Sequence, residues 1–292
     1  MPAPALHAFP DSLVFARRLG RALGWPVERI ELHHFPDGES LVRVRAEAGA
    51  RAIVVRSLFE PNEKIVELLL VADALRRAGV ASLTLVTPYL AYMRQDRVFQ
   101  PGEPVSQRVL GALLGTSFER VLCVEAHLHR IRSLAEVFPC RAESIPAAAL
   151  LAPWLEGAGQ PLLVGPDAES EPFVRGLAEC VGLDWCVGAK RRHGDAEVAV
   201  SLPPLSGRSR RALLVDDIVS SGATLAAAAE GLYAQGVERV EAAVVHALFA
   251  AGALERLRAA GVARVVSTDT IPHATNQIEA APYLARALAE EC

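Results

Sequence analysis

LLVDDIVSSGATL, Leu213 to Leu225, sets a run of apolar residues against two adjacent carboxylates and then a short row of small and hydroxylated residues. The stretch that follows, AAAAEGLYAQG, has the composition of a helix. The pattern reads as strand, tight turn, helix. In an open parallel α/β sheet, ligands bind outside the carboxyl ends of the strands, so Asp216 and Asp217 stand where a ligand is expected. Ser220, Ser221, Gly222, Ala223 and Thr224 make a turn that opens onto a helix N-terminus. Backbone N–H groups and the positive end of the helix dipole suit a phosphate there. The carboxylates repel a phosphate, but they suit ribose hydroxyls, or a magnesium shell through water. A sugar phosphate meets both requirements. The alternative is that Asp217 or Ser220 does no more than cap the helix.

The rest of the chain repeats this rhythm. RAIVVRSL, SLTLVTPYL, RVLCVEAH, QPLLVGPD, DAEVAVSLP, RVEAAVVHALF and ARVVSTDTI read as strands, and Ala- and Leu-rich helical runs stand between most of them. NEKIVELLLVADALRRAGV is one such helix, apolar at Ile65, Leu68, Leu69 and Ala72 and ending near Gly79. Strands joined by helices imply right-handed crossovers and mainly parallel sheets. Two successive α/β domains are expected, 1–145 and 146–292. The segment PCRAESIPAAALLAPWLEGAGQP, roughly 139–161, is rich in Ala, Pro and Gly and reads as the linker.

The chain has 292 residues, 51% hydrophobic but only 5% aromatic, so Leu, Val and Ala must fill the cores. Its formal net charge of −4 argues against a general nucleic-acid or membrane-surface binder, while permitting a local basic pocket. The five cysteines (Cys123, Cys140, Cys180, Cys186 and Cys292) show neither CxxC nor zinc spacing, as for reduced thiols in the cytoplasm. MPAPALHAFPDSL has no basic region before an apolar core, so no secretory signal is expected. No window approaches the roughly 18 uninterrupted apolar residues of a membrane span.

Several further clusters carry chemistry. FPDGES, Phe35–Ser40, holds Asp-Gly turn chemistry and reads as a hairpin or loop. YMRQDR, Tyr92–Arg97, places Arg94 and Arg97 around Gln95 and Asp96; guanidinium forks match phosphate oxygens, or form a surface ion-pair cluster. VEAHLH puts His127 and His129 two residues apart at a strand end, a functional position or a structural one. AKRRHGD, Ala189–Asp195, packs three cations into a glycine-containing loop, either solvated or used to neutralise phosphate.

LLVDDIVSSGAT resembles the phosphoribosyl-diphosphate motif of type I phosphoribosyltransferases and of the ribose-phosphate diphosphokinase (PRPP synthetase) family. HHFPDGESLVRV, PYLAYMRQDRVFQPGEPVS, VEAHLHRI, VGPD, AKRR and HALFAAGALERLRAAGVARVVSTDTIP resemble the synthetase family, in that order, from about residue 30 to the end. The resemblance implies two phosphoribosyltransferase-like domains and transfer of a diphosphoryl group from ATP to ribose 5-phosphate, with Mg2+. It assigns Lys190 and Arg192 to the transferred group. ATP contacts fall to Phe35, Asp37, Gly38, Glu39, Arg94 and Gln95. Ribose 5-phosphate contacts fall to Asp216, Asp217, Ser220, Ser221, Gly222, Ala223 and Thr224. Metal contacts fall to His127 and Asp167. It further implies a homo-oligomer with the nucleotide site near a subunit interface. Glu125 stands where the family usually has aspartate, and Glu169 and Ser170 where it often has glycines. The rival readings are a phosphoribosyltransferase that consumes PRPP and a non-catalytic regulatory homologue.

Overall fold

A computed structural model describes residues 4–46, 51–157, 159–193, 197–205 and 210–290, without the side chains of 191–193, 197 and 198. The strands are β1 Ala5–Ala8, β2 Val27–Arg29, β3 Glu31–His34, β4 Ser40–Arg43, β5 Arg51–Val55, β6 Ser82–Val86, β7 Arg120–Val124, β8 Arg141–Ile145, β9 Leu162–Gly165, β10 Trp185–Val187, β11 Ala189–His193, β12 Glu197–Ser201, β13 Arg211–Val219, β14 Arg239–Ala247, β15 Val265–Thr268 and β16 Asn276–Ile278. The helices are α1 Leu13–Leu23, α2 Pro61–Arg77, α3 Ser106–Gly115, α4 Ala148–Glu156, α5 Glu171–Val181, α6 Ala223–Ala234, α7 Ala253–Ala259 and α8 Ala281–Ala289.

The chain divides into two compact units, 1–145 with 280–292, and 146–279. Each holds a six-stranded sheet, ordered β2-β1-β5-β6-β7-β8 in the first and β10-β9-β13-β14-β15-β16 in the second. Every pairing within these sheets is parallel, which bears out the expected fold class. Burial on both faces explains the unbroken apolar strands: Ala52 to Val55 of β5, all of β7 and Leu162 to Val164 of β9 are buried. The two units also match element for element. A strand, a helix and an edge strand come first, then an antiparallel hairpin (β3–β4 or β11–β12), then the four remaining strands. This internal repeat is visible in topology and not in the residues.

Three expectations are corrected. The segment read as a linker is not irregular: it contains β8 and α4. Pro153 lies inside α4, but buried Leu150, Leu151 and Leu155 hold the helix against α5 despite the missing backbone donor. The last helix belongs with the first unit and not with 146–279, because α8 packs its buried Leu284 and Leu288 against α1 and β7. DAEVAVSLP does not join a parallel sheet: β12 pairs antiparallel with β11 alone. No described helix is long and apolar enough to cross a membrane.

Candidate active site

In the second unit the strand order reverses between β9 and β13, which is where ligands collect in such sheets. Asp167 follows β9 directly. Asp216 and Asp217 lie within β13, which runs on to Val219 because buried Ile218 and Val219 continue the pairing with His246 and Ala247 of β14. The hydroxyl-rich turn then leads into α6.

That turn depends on Gly222. Its φ of 72° is a left-handed conformation, and a Cβ there would lie 3.2 Å from the Ala253 carbonyl oxygen. Carbonyl groups of the turn face α7 and its approach: Ala250 N–H donates to Ser220 O at 3.1 Å, and Arg256 Nη1 donates to Ser221 O at 2.7 Å. Ser221 Oγ accepts from Ala223 N–H at 3.4 Å. Ala223 and Thr224 open α6, whose first backbone N–H groups have no partner within the helix.

The expected basic loop is a strand. Lys190 and Arg192 lie on β11, opposite Val200 and Val198 of β12; the Arg192 side chain is outside the described residues. Gly188 lets the hairpin start close to the end of β9. Its N–H donates to Gly165 O at 2.9 Å, and a Cβ on it would lie 2.8 Å from Pro166 O. Lys190 Nζ consequently reaches Asp167 Oδ2 at 3.3 Å. Asp167 Oδ1 also accepts from Glu169 N–H at 3.1 Å, so this carboxylate caps the short turn after β9. Burial, with the charges of Asp217 and Asp167, pushes Asp216 well above the ordinary carboxylate range; Lys190 opposes the shift. The charges of Asp217, Asp167 and Lys190 thus all act on Asp216, and carboxylate oxygens are hard donors of the kind that suit a divalent cation.

In the first unit the candidate residues sit near the carboxyl ends of adjacent strands or on the hairpin. The tip Phe35–Glu39 is exposed throughout and is closed by its own bonds: Phe35 N–H to Glu39 O at 2.8 Å, Gly38 N–H to Phe35 O at 2.9 Å, and Glu39 N–H to Asp37 Oδ1 at 3.1 Å. Phe35 meets the His33 ring edge-on at 4.8 Å. After β6, Arg94 is exposed, while Gln95 Oε1 accepts from Ser106 Oγ at 2.6 Å. Asp96 is bound by Arg130 at 3.2 Å, and Arg97 lies over the Phe99 ring at 4.8 Å. After β7, His127 Nε2 lies 2.6 Å from His129 Nε2.

Models of two domains match this chain: the N-terminal domain of ribose phosphate pyrophosphokinase over residues 6–117, and a phosphoribosyl transferase domain over 146–282. A ribose-phosphate pyrophosphokinase of Pyrococcus furiosus is 36% identical over 261 residues, covering 89% of this chain and 92% of that protein. One of Thermococcus kodakarensis is 38% identical over 266 residues, covering 90% and 93%. The chain belongs to the ribose-phosphate pyrophosphokinase family. A crystal structure of the phosphoribosylpyrophosphate synthetase of Mycobacterium smegmatis superimposes with a TM-score of 0.87 at 26% identity, covering 99% of this chain and 100% of that one. The expected family is thereby borne out.

Sequence reading passed over two features of this chain. The first is backbone strain. Glu60, Tyr92 and Glu125 are the non-glycine residues with positive φ among those described, at 51°, 63° and 36°. They follow β5, β6 and β7, the three neighbouring central strands of the first unit. Such strain collects at functional edges, and sequence carries no signal for it. The second is an ion cluster in which buried Arg56, Lys64 and Glu67 meet the exposed Asp11. Its signal was legible: Lys64 and Glu67 fall on the same helical stripe as Leu68, Val71, Ala72 and Leu75, where charge is costly unless paired.

Proposed function

We propose that this chain transfers the β,γ-diphosphoryl group of ATP to the 1-hydroxyl of ribose 5-phosphate, giving PRPP and AMP. The O1–Pβ bond forms as the bond from Pβ to the α-phosphate oxygen breaks. The observation that carries the reading is the convergence at the β9/β13 switch point. The hydroxyl-rich turn into α6, the Asp216–Asp217 pair and the hairpin's Lys190 on Asp167 lie there, in a chain whose relatives are named ribose-phosphate pyrophosphokinase.

In this reading the Ser220–Thr224 turn and the α6 N-terminus hold the 5-phosphate, and Asp216 and Asp217 hold ribose hydroxyls. Lys190 leaves Asp167 for the transferred phosphates, and Arg192 joins it from the same hairpin. Neither needs to form a bond to substrate, since phosphoryl transfer is served by positioning and charge neutralisation. Phe35, Asp37, Gly38 and Glu39 take the adenine nucleotide from the hairpin tip, with Arg94 and Gln95 on its phosphates. The oxygen donor of Asp167 suits Mg2+, and His127 offers a nitrogen already engaged with His129. When bound, the cation neutralises charge developing on the phosphate oxygens. A homo-oligomer that completes the nucleotide site and a cytoplasmic location belong to the same reading. The exposed hairpin tip and the unpaired cysteine pattern support them.

A phosphorus NMR time course with ATP, Mg2+ and ribose 5-phosphate tests the reaction. AMP rising with a diphosphate bonded to ribose C1 supports it. ADP would mean single phosphoryl transfer, and no change in ATP would remove the synthetase reading.

A further inference from the structure

The first unit has its own switch point, between β1 and β5. Where the second unit places ligand-directed groups, the first places an internal ion cluster. Arg56, immediately after β5, is 4% exposed and stacks on the Phe9 ring at 3.8 Å. It pairs with Asp11 at 3.3 Å and with Glu67 at 2.5 Å. Lys64 reaches the same Asp11 at 3.3 Å and donates to Ser57 O at 3.3 Å. Glu67, on α2, is 1% exposed.

The outer oxygen of Glu67 serves the hairpin. Glu67 Oε1 is 2.7 Å from His34 Nε2 and accepts from Ser40 Oγ at 2.8 Å. His34 and Ser40 are register partners, the last residue of β3 and the first of β4, so they bracket the tip Phe35–Glu39. This hairpin is paired only with itself and joins neither six-stranded sheet. Beneath it, between Leu32, His34, Arg56 and the first turns of α2, lies a cavity of about 550 Å³. β4 packs along α2, but on the β3 side the cavity leaves Leu32 and His34 without close packing, so directional polar bonds at the base of the tip help set where it points.

We infer that Glu67 is a positioning residue for nucleotide binding, clamping both strands of the β3–β4 hairpin at the base of the tip through His34 and Ser40. The inference rests on the proposed function of the tip. Glu67 touches no substrate in this scheme. It acts through two donors, and Arg56 and Asp11 tie its charge back to the ends of β5 and β1. The second unit holds its own hairpin by the equivalent means, Lys190 to Asp167, so both hairpins are anchored by a charged contact over a switch point.

Replacing Glu67 itself would strand the buried Arg56 charge and endanger folding, so the test removes the donors. In the H34A/S40A double variant the KM for ATP is expected to rise about tenfold or more, the loss of two hydrogen bonds to a charged acceptor. The KM for ribose 5-phosphate should stay within about twofold; Tm should fall but the fold should persist, since Glu67 Oε1 loses both donors while Arg56 keeps its partner. H34Q/S40T keeps both donors and should behave as the parent does. F35A serves as the direct probe of the tip. If F35A raises the KM for ATP and H34A/S40A does not, the clamp is overturned while the tip keeps its role. If F35A leaves that KM unchanged, the nucleotide role of the tip falls and the clamp falls with it.

Discussion

Lys190 Nζ lies 3.3 Å from Asp167 Oδ2 and so ties the β11–β12 hairpin to the end of β9. Both side chains are partly buried, 23% and 16% exposed; in the proposed reaction the lysine leaves this carboxylate for the transferred phosphates. A single ion pair that solvent still reaches stabilises by roughly 1 kcal/mol. Lys190→Ala is therefore expected to leave Tm nearly unchanged and to lower kcat by about 10²- to 10³-fold, as removal of a transition-state charge partner does. The KM for ribose 5-phosphate should stay within about threefold. Steady-state kinetics with both substrates varied decides it, and an unchanged kcat removes Lys190 from the mechanism.

Most of the fold was legible because its strands are doubly buried: β5, β7, β9, β13 and β14 announce themselves as apolar runs. Edge elements were not. β2 and β10 have three residues each, too short for any period to show. The stretch 139–161 misled because Pro153 and small residues resemble a linker, whereas burial of Leu150, Leu151 and Leu155 sustains a helix there. The candidate site of the second unit was visible as a contiguous motif, Asp216 to Thr224. The Lys190–Asp167 contact spans 23 positions in the chain and comes from Gly188 closing on Pro166, which no local pattern reports.

Asp216 gives the protein a pH dependence of known sign. Its carboxyl is held well above the usual range by burial and by Asp217 and Asp167. Its contribution to stability is full below the ordinary aspartate value and is lost as pH rises through the raised one, because the folded state resists ionisation. Asp216→Asn ends that titration. In metal-free buffer D216N should melt above the parent at pH 8, with a gap that narrows toward pH 4. Calorimetry across this range checks it; a gap independent of pH would mean that Asp216 ionises normally. The same variant should bind ribose 5-phosphate more weakly.

Gly222→Ala tests the turn. A Cβ would meet the Ala253 carbonyl at 3.2 Å and Leu257 at 3.4 Å, in a residue with φ of 72°. Left-handed backbone alone costs a non-glycine residue roughly 1–2 kcal/mol. Urea unfolding should show a loss of at least that size, and calorimetric titration should show weaker ribose 5-phosphate binding. Full affinity with reduced stability would make the turn a structural element only.

Arg94 is an exposed guanidinium beside neighbours that are already engaged, since Asp96 is taken by Arg130 and Gln95 by Ser106. Arg94→Ala should leave stability within about 0.5 kcal/mol of the parent, as is usual for an exposed site. It should raise the KM for ATP without changing that for ribose 5-phosphate. Equal KM values for ATP in parent and variant would take Arg94 out of the nucleotide site.

Helix α8 comes last in chain order among the described elements and yet completes the first unit. It buries Leu284 fully and Leu288 to 3% exposure against α1 and β7, and its Ala287 carbonyl accepts from Arg120 Nη2 at 3.1 Å. Arg120 is itself fixed by Glu143 of β8 at 2.5 Å, so the helix is held by both apolar burial and a directed bond. Burying one leucine side chain contributes about 1.5–3 kcal/mol, and total stabilities are about 5–15 kcal/mol. Ending the chain after Glu279 should therefore destabilise 1–145 selectively. Thermal unfolding of the truncated protein should show a new low-temperature transition. Proteolysis within α1 should accelerate, while cleavage within 146–279 keeps the parent's rate. Uniform loss across both units would mean that α8 stabilises the whole chain and not the first unit alone.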